Sequence, residues 1–207
     1  MKTRDRILQT SLDLFNEYGE SNITTNHISN EMNISPGNLY YHFHNKDEII
    51  YLLFLQFEHK MLETLEAPRS RSPTVEDMWL YLHLVFENIW QYRFLYRNLD
   101  DLVSRNKKLH SRFKRILERL IETAITICEG LVETNIMQAS QEEIEALAYN
   151  ISVMATYWLN FQDIYDKHHS TEDHFGWGAY QVMALVAPFI TGGAKELLRR
   201  LSRNYLR

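Results

Sequence analysis

Small polar and aromatic side chains follow one another between residues 35 and 42 of the sequence. Hydroxyl, amide, phenol and imidazole groups of this kind contact phosphate oxygens and base edges, and they are not typical of a protein core. The set consists of Ser35, Gly37, Asn38, Tyr40, Tyr41 and His42. The chemistry that it favours is the binding of nucleic acid.

Two short helices and a tight turn are predicted to position these side chains. Thr24 is a good N-cap for a first helix, in which Ile28 and Met32 lie four residues apart on one face. Ser35 and Pro36 form a second start signal, because serine caps and proline fits the first helical position. This pattern is typical of a helix-turn-helix, whose second helix enters the DNA major groove. The alternative is a packed helical hairpin with two exposed tyrosines.

Neighbouring helices must support the second helix, since one of about seven residues is not stable alone. Residues 3–18 predict a helix that ends at Gly19, and residues 46–65 predict a long helix after an Asn45 cap. Apolar residues run almost round this long helix, so we expect it to be buried on two sides. The small core is expected to contain Ile7, Leu8, Leu12, Phe15, Ile23, Ile28, Met32, Ile34, Leu39 and Phe43.

Residues 34–48 read Ile-Ser-Pro-Gly-Asn-Leu-Tyr-Tyr-His-Phe-His-Asn-Lys-Asp-Glu. This segment closely resembles the DNA-binding signature of the TetR/AcrR family of bacterial transcriptional regulators, including its Tyr-x-His-Phe motif and the lysine that follows. The resemblance covers residues 4–53 and extends beyond them only in length and helical character. It implies an all-α fold with an N-terminal three-helix domain, a long fourth helix and a larger C-terminal bundle.

The resemblance also implies a function: a ligand-responsive homodimeric regulator, a repressor in our interpretation, that binds a palindromic operator in double-stranded DNA. Tyr40, His42, Lys46 and Thr25 are expected to hold phosphates, while Asn38 and Tyr41 lie nearest to base edges. The full set expected to face DNA is Thr25, Asn26, Ser35, Gly37, Asn38, Tyr40, Tyr41, His42 and Lys46.

The charge of the chain has to be weighed against the interpretation that it binds DNA. The chain has 207 residues and a net charge of −5, and its first 50 residues carry four Lys or Arg against seven Asp or Glu. An acidic balance argues against DNA binding, although backbone N–H groups at helix N-termini also bind phosphate. It supports the alternative, a helical small-molecule-binding or enzymatic protein that has lost DNA binding. The neighbouring genes would help most to identify what such a regulator controls.

The lone Cys128 rules out an internal disulfide and fits a reducing cytoplasm. No signal peptide is recognisable, and no apolar run reaches the roughly 18 residues that span a bilayer. We therefore expect a cytoplasmic protein that is not bound to a membrane.

Low glycine and proline content favours helices throughout the remainder of the chain. We predict a DNA-binding domain at 1–47, the connecting helix at 46–65, and a ligand-binding and dimerisation domain at 66–207. Residues 67–73 look like a linker. The later helices are expected at 74–90, 92–104, 107–135, 141–167, 173–191 and 193–205, with capping boxes at Thr74 and Ser140 and a kink or early stop at Pro188.

Metal and catalytic sites have little support in the sequence. The nine histidines cluster only at His42-x-His44 and around His168 and His169, and no Glu-x-x-His pair occurs. No phosphate-binding glycine loop or nucleophile motif is present, and Cys128 lies among apolar residues. We expect no metal, no cofactor and no enzymatic activity.

A basic run stands out between residues 105 and 119. It is expected to be the exposed face of a helix, or else a surface that attracts DNA or meets an acidic patch of the N-terminal domain. Its members are Arg105, Lys107, Lys108, Arg112, Lys114, Arg115 and Arg119.

Aromatic residues are concentrated in the C-terminal part of the chain. Rigid aromatics with polar tips suit an apolar cavity with a few hydrogen-bonding groups, and the resemblance implies that such a cavity receives a mostly apolar small-molecule effector. The candidates for its lining are Trp79, His83, Phe86, Trp90, Trp158 and Tyr180.

The helices predicted at 141–167 and 173–191 carry more apolar surface than one partner helix would cover. In the family, two such helices from each subunit form a four-helix dimer interface, so we predict a homodimer. The apolar positions are Leu147, Ile151, Met154, Trp158, Phe161, Trp177, Tyr180, Met183, Ala184 and Ala187.

Overall fold

Helices account for most of the chain in the computed structural model, which describes residues 2–66, 72–165 and 173–203. This confirms the predicted all-α class. The N-terminal helices are α1 (Thr3–Tyr18), α2 (Thr25–Glu31), α3 (Pro36–His42) and α4 (Lys46–Thr64). They are followed by α5 (Val75–Gln91), α6 (Arg93–Arg97), α7 (Leu99–Arg105), α8 (Lys107–Glu133), α9 (Gln141–Tyr165), α10 (Asp173–Val186) and α11 (Gly192–Ser202).

Local capping accounts for most of these boundaries. At the start of α5, Thr74 and Asp77 exchange the hydrogen bonds of a capping box, and Ser140 and Glu143 do so at the start of α9. Both boxes were predicted. Gly19 ends α1 with a φ of 82°, in the left-handed region that favours glycine.

Single residues account for two further helix boundaries. The predicted helix at 92–104 is divided into α6 and α7, because Asn98 leaves the helical conformation (φ −116°, ψ 24°). The asparagine side chain can hydrogen-bond to nearby backbone groups in non-helical conformations, so asparagine favours turns over helix interiors, which explains the division. The early stop at Pro188 is confirmed, since α10 ends at Val186 and a short 3-10 helix, Ala187–Phe189, follows.

One compact unit comprises Met1–His59 and Tyr92–Phe113. The predicted small core is buried there, except that Ile34 is only half-buried because it lies in the turn before α3. Aromatic rings enlarge this core: the rings of Phe15 and Phe94 are 5.3 Å apart, and Phe57 lies 5.7 Å from both Tyr92 and Tyr96. Residues 92–113 therefore supply packing that the N-terminal segment lacks on its own.

The other compact unit comprises Lys60–Gln91 and Lys114–Arg207. Helix α10 packs against α5 and α9. A Cβ atom at Gly178 would lie 2.3 Å from Cε1 of Phe86 and 2.7 Å from Cδ1 of Trp158, so only glycine allows this close approach. Residue 137 pairs with Ile190 in an isolated β-bridge.

The predicted functional division at residues 47 and 66 stays a prediction, because compactness alone assigns no function. The predicted linker falls largely on residues 67–71, and the cluster at His168 and His169 falls on residues 166–172. Both segments lie outside the described residues.

Candidate nucleic-acid interface and ligand cavity

The turn between α2 and α3 is fixed by short-range hydrogen bonds. Thr24 Oγ1 accepts from the backbone N–H of His27, whose Nδ1 accepts from the N–H of Thr24. Asn33 adopts a φ of 54°, a conformation that asparagine tolerates better than most residues, and so α2 stops there. The N–H of Ile34 then donates to the carbonyl of Ser29 at 3.0 Å, which sets the angle at which α3 begins.

Helix α3 presents one buried and one exposed side. Ser35 Oγ accepts from the N–H of Asn38 at 3.2 Å, and Pro36 occupies the first turn. Leu39 is fully buried, whereas Tyr41 is 85% exposed. The helix therefore anchors itself through its apolar residues and leaves its polar side to solvent.

The predicted DNA-facing residues lie together in this motif. Asn26, Ser35, Gly37, Asn38, Tyr40 and Tyr41 are exposed, and Thr25, His42 and Lys46 are half-buried. The hydroxyl groups of Thr25 and Tyr40 are 3.2 Å apart and join α2 to α3. The surface offers hydroxyl, amide and phenol groups with little charge, so its contacts with a phosphate backbone would be chiefly hydrogen bonds. The DNA-facing roles stay predictions.

Lys46 has intramolecular partners that the sequence did not indicate. Its Nζ lies 2.8 Å from Oε1 of Glu20 and donates to the carbonyl of Glu20 at 2.9 Å. An ammonium carries three N–H donors, so a phosphate contact by Lys46 would be made beside this ion pair and this hydrogen bond.

Some side chains of the basic run pair with buried carboxylates, and others are exposed to solvent. Arg105 pairs with Glu20, and Arg112 pairs with Glu58; both carboxylates are buried in the first compact unit. The pair of Arg105 with Glu20 fits the interpretation that the run meets an acidic patch of the N-terminal domain, whereas Glu58 lies on the connecting helix α4. The other interpretation, an exposed helix face, describes Lys107, Lys108, Lys114 and Arg115. Arg119 pairs with Glu122 on its own helix.

The second compact unit contains a small apolar cavity of about 40 Å³. Organic ligands occupy pockets of about 300–1,000 Å³, so this cavity holds none without expansion. Thr123 in its wall donates its hydroxyl hydrogen to the carbonyl of Leu65 at 2.8 Å. The lining consists of Leu65, Met78, Tyr81, Leu82, Val85, Leu120, Thr123, Ala124, Ile127, Cys128, Ile151, Val182 and Val186.

Cys128 in this cavity wall is buried, and burial raises the pKa of its thiol to about 11. The thiol is therefore protonated at neutral pH, which fits the predicted core role rather than a nucleophilic one.

An open apolar groove of about 810 Å³ runs along α9 and α10. On α9 an exposed stripe repeats every four residues, and most of it borders the groove; its members are Tyr149, Val153, Tyr157, Phe161 and Tyr165. The groove is lined by Asn150, Val153, Met154, Tyr157, Trp158, Phe161, Gln162, Tyr165, Trp177, Gln181 and Leu185.

The six predicted effector contacts do not all line either of the two cavities described above. Trp158 lines the groove and, like Phe86, lies against Gly178, whereas the rings of Trp79 and His83 stack on each other along α5 at 5.5 Å. Tyr180 packs beside Trp177, and Trp90 is half-buried. Neither cavity contains more than one of the six. A role in effector binding stays a prediction for all of them.

The positions predicted to form the dimer face are also divided. Met154, Trp158, Phe161 and Trp177 line the groove, whereas Leu147, Ile151 and Met183 are buried within the second unit. Tyr180 and Ala187 are half-buried, and Ala184 is exposed. The four-residue repeat from Tyr149 to Tyr165 distinguishes the exposed face of α9 from its buried face more accurately than hydrophobicity alone does.

Among the described residues, no group of three or more His, Cys, Asp or Glu side chains could hold a metal ion. Within the same part of the chain, no helix is both long enough and apolar enough to cross a membrane.

Comparison with known proteins decides the family. A family model described as "Bacterial transcriptional repressor" (TetR) matches residues 56–198, and one described as "Bacterial regulatory proteins, tetR family" matches residues 7–51. The chain belongs to the TetR family. The earlier resemblance, which rested on the N-terminal segment, is thereby confirmed and extended over the C-terminal part.

Relatives of this TetR-family chain include solved and curated regulators. A crystal structure of a TetR-family transcriptional regulator from Marinobacter aquaeolei VT8 is 38% identical, covers 99% of each chain and has a TM-score of 0.90. The regulator HbdR of Aromatoleum sp. (strain CIB) is 25% identical over 97% of this chain and 86% of its own. IcaR of Staphylococcus epidermidis, a negative regulator of a biofilm operon, is 26% identical over 58% of this chain and 64% of its own. The TetR-family chain is thus a helix-turn-helix transcriptional regulator.

Proposed function

We propose that the chain is a homodimeric repressor that binds a palindromic operator through α3 and is released by a mostly apolar small molecule. The observation that carries this proposal is the exposed polar side of α3 on a helix held by buried Leu39 and by the Ser35 cap. Exposed hydroxyl, amide and phenol groups on such a helix are the groups that contact phosphate oxygens and base edges.

On the operator, α3 would lie in the major groove. Asn38 and Tyr41 would meet base edges, and Thr25, Tyr40, His42 and Lys46 would hold phosphates on either side. Residues 24–46 contain one lysine and one glutamate, so hydrogen bonds and the N-termini of helices, rather than a basic patch, would attract the phosphate backbone.

The homodimer would form through the groove on α9 and α10. Its exposed stripe of aromatic and aliphatic side chains is larger than the isolated apolar residues usual on a monomer surface. A second copy with the same stripe would cover it by two-fold symmetry, and two recognition helices would then read two half-sites.

The effector would enter the second compact unit at its small apolar cavity. The lining is almost wholly apolar, which favours an apolar ligand, and the 40 Å³ volume requires the surrounding helices to move apart. That movement would reach α4, because the carbonyl of Leu65, just after α4, accepts the hydrogen bond from Thr123.

Helix α4 is the element through which release would act. Its C-terminal end is held within the second unit by hydrogen bonds from Asn88 to Thr64 and from Lys60 to Gln91. Residues 46–59 of the same helix belong to the first unit, where Phe57 packs among aromatic rings. An effector that displaces the end of α4 would change the spacing of the two recognition helices. Such coupling is reciprocal and is typically ~1–3 kcal/mol.

The chain would act in the cytoplasm and would not be an enzyme. The second candidate function is a helical small-molecule-binding or enzymatic protein without DNA binding, which the acidic balance of the first 50 residues favours.

A gel shift with the DNA upstream of the protein's own gene discriminates between the two. We expect a shifted band at low salt that disappears when a compound found by thermal-shift screening is added. An unshifted probe at low salt would favour the second candidate. A screen in which only metals or sugars raise the melting temperature would contradict the apolar effector.

A further inference from the structure

Glu20 is a buried carboxylate in the short 3-10 helix Glu20–Asn22 that follows α1. Its side chain is only 2% exposed. A buried charge is costly unless cations and hydrogen bonds compensate it, so the partners of Glu20 are part of the structure of the motif.

Two cations share one oxygen of this carboxylate. Lys46, the first residue of α4, places Nζ 2.8 Å from Oε1, and Arg105, the last residue of α7, places Nη2 3.1 Å from the same atom. Lys46 also donates to the Glu20 carbonyl, and Nε of Arg105 lies 3.3 Å from exposed Asp101. Arg105 therefore connects α7, through Glu20, to the start of α4.

This arrangement fixes the Lys46 ammonium before any DNA arrives. The ammonium donates to the Glu20 carbonyl and forms an ion pair with Glu20 Oε1, and the lysine side chain is 25% exposed. A lysine that is already held loses less side-chain entropy when it binds a phosphate. Arg105 matters because it supplies the second positive charge. Without it the carboxylate would be compensated by Lys46 alone and would compete with phosphate for that ammonium.

We propose that Glu20 and Arg105 are positioning residues for the phosphate contact of Lys46, so that the end of α7 sets the affinity of the recognition motif for DNA. This inference rests on the proposed DNA-binding function. It assigns a role to the basic run that differs from a general attraction of DNA, because Arg105 acts through Lys46 and not by touching the backbone.

The test is a double-mutant cycle on the full-length protein, with an upstream DNA fragment that the wild type shifts. DNA affinity is measured at several salt concentrations for the wild type, Arg105→Gln, Lys46→Met and the double variant. Lys46→Met should reduce the salt slope by about 0.9 for each half-site. Arg105→Gln should weaken binding about five- to ten-fold when Lys46 is present, and by no more than about two-fold in the Lys46→Met background.

Two further variants control for charge and folding. Arg199→Gln removes the same charge from an exposed pair with Glu196 on α11 and should leave DNA affinity within about two-fold of the wild type. Arg105→Lys keeps a cation near Glu20 and should restore most of the affinity. Thermal unfolding of each variant shows whether it is folded.

The outcomes separate the alternatives. Equal losses from Arg105→Gln with and without Lys46 would overturn the inference, and a further drop of about 0.9 per half-site in the salt slope would show that Arg105 itself contacts phosphate. A wild type that binds no DNA at low salt would overturn the proposed function and this inference with it.

Discussion

The hydroxyl groups of Thr25 and Tyr40 lie 3.2 Å apart, although fifteen residues separate them in the chain. This contact joins the first turn of α2 to α3 on the exposed side of the motif. Both hydroxyls belong to the set that we expect to hold phosphates. Each has a single hydrogen, so while one hydroxyl donates to the other, the hydrogen of the accepting hydroxyl stays available to a phosphate oxygen.

Tyr40→Phe should therefore weaken operator binding about ten-fold, because a hydrogen bond to a charged oxygen is lost. The affinity of the free protein for its effector should not change, since Tyr40 does not line the small apolar cavity. Fluorescence anisotropy with a labelled duplex measures the first quantity. Tyr18→Phe, at an exposed tyrosine outside the predicted set, is the control and should bind as the wild type does.

The exposed stripe on α9 predicts the oligomeric state. Sedimentation at micromolar concentration should give about twice the 24.7 kDa chain mass. Val153→Glu, which places a charge at a position that is 60% exposed in the single chain, should shift the protein toward monomer. Leu80→Glu makes the same change at another exposed apolar residue, on α5, and should leave the dimer intact. A wild-type monomer would remove the basis for two half-sites.

Replacement of Gly178 should destabilise the protein, because this residue allows α10 to pack closely against Phe86 and Trp158. Its replacement by alanine would place a methyl group 2.3 Å from Phe86, which is closer than van der Waals contact allows. The resulting overlap should lower the free energy of unfolding by ~1–3 kcal/mol. At Gly193 a Cβ atom meets nothing within 4 Å, so Gly193→Ala should leave stability unchanged or raise it slightly. Chemical denaturation compares the two variants. Equal effects would mean that α10 does not pack as described.

The buried thiol of Cys128 should make the free energy of unfolding depend on pH. Burial raises the pKa of its thiol from about 9 to about 11, so the folded state holds this proton more tightly than the unfolded state. The contribution to stability is complete below pH ~9 and is lost between pH ~9 and ~11, at about 1.4 kcal/mol per pH unit. The fall in that range should be smaller in Cys128→Ala than in the wild type. Identical pH profiles would show that the thiol is not buried in the folded protein.

Sequence patterns predicted the local part of the fold well. The caps at Thr24, Ser35, Thr74 and Ser140 act over three residues, so their outcome depends little on distant packing. The helix-turn-helix motif could be predicted from the sequence because it, too, depends on neighbouring residues.

Interactions between distant segments were beyond those patterns. Glu20 and Lys46 are 26 residues apart, and nothing in the spacing of the acids indicated that Glu20 is buried. Phe94 packs on Phe15 and its N–H donates to Asn16, which brings 92–113 into the first unit. The effector residues were chosen from aromatic content alone, and content does not show which face of a helix lines a cavity.

A DNase I footprint on the DNA upstream of the protein's own gene tests the central claim, operator binding by a two-fold dimer, most directly. We predict protection of two half-sites related by a palindrome, with centres ~34–36 Å apart along the duplex or a multiple of that distance. Tyr40→Phe should require a higher protein concentration for the same pattern. Uniform cleavage at low salt with saturating protein, or protection of a single half-site by a dimer, would contradict the account.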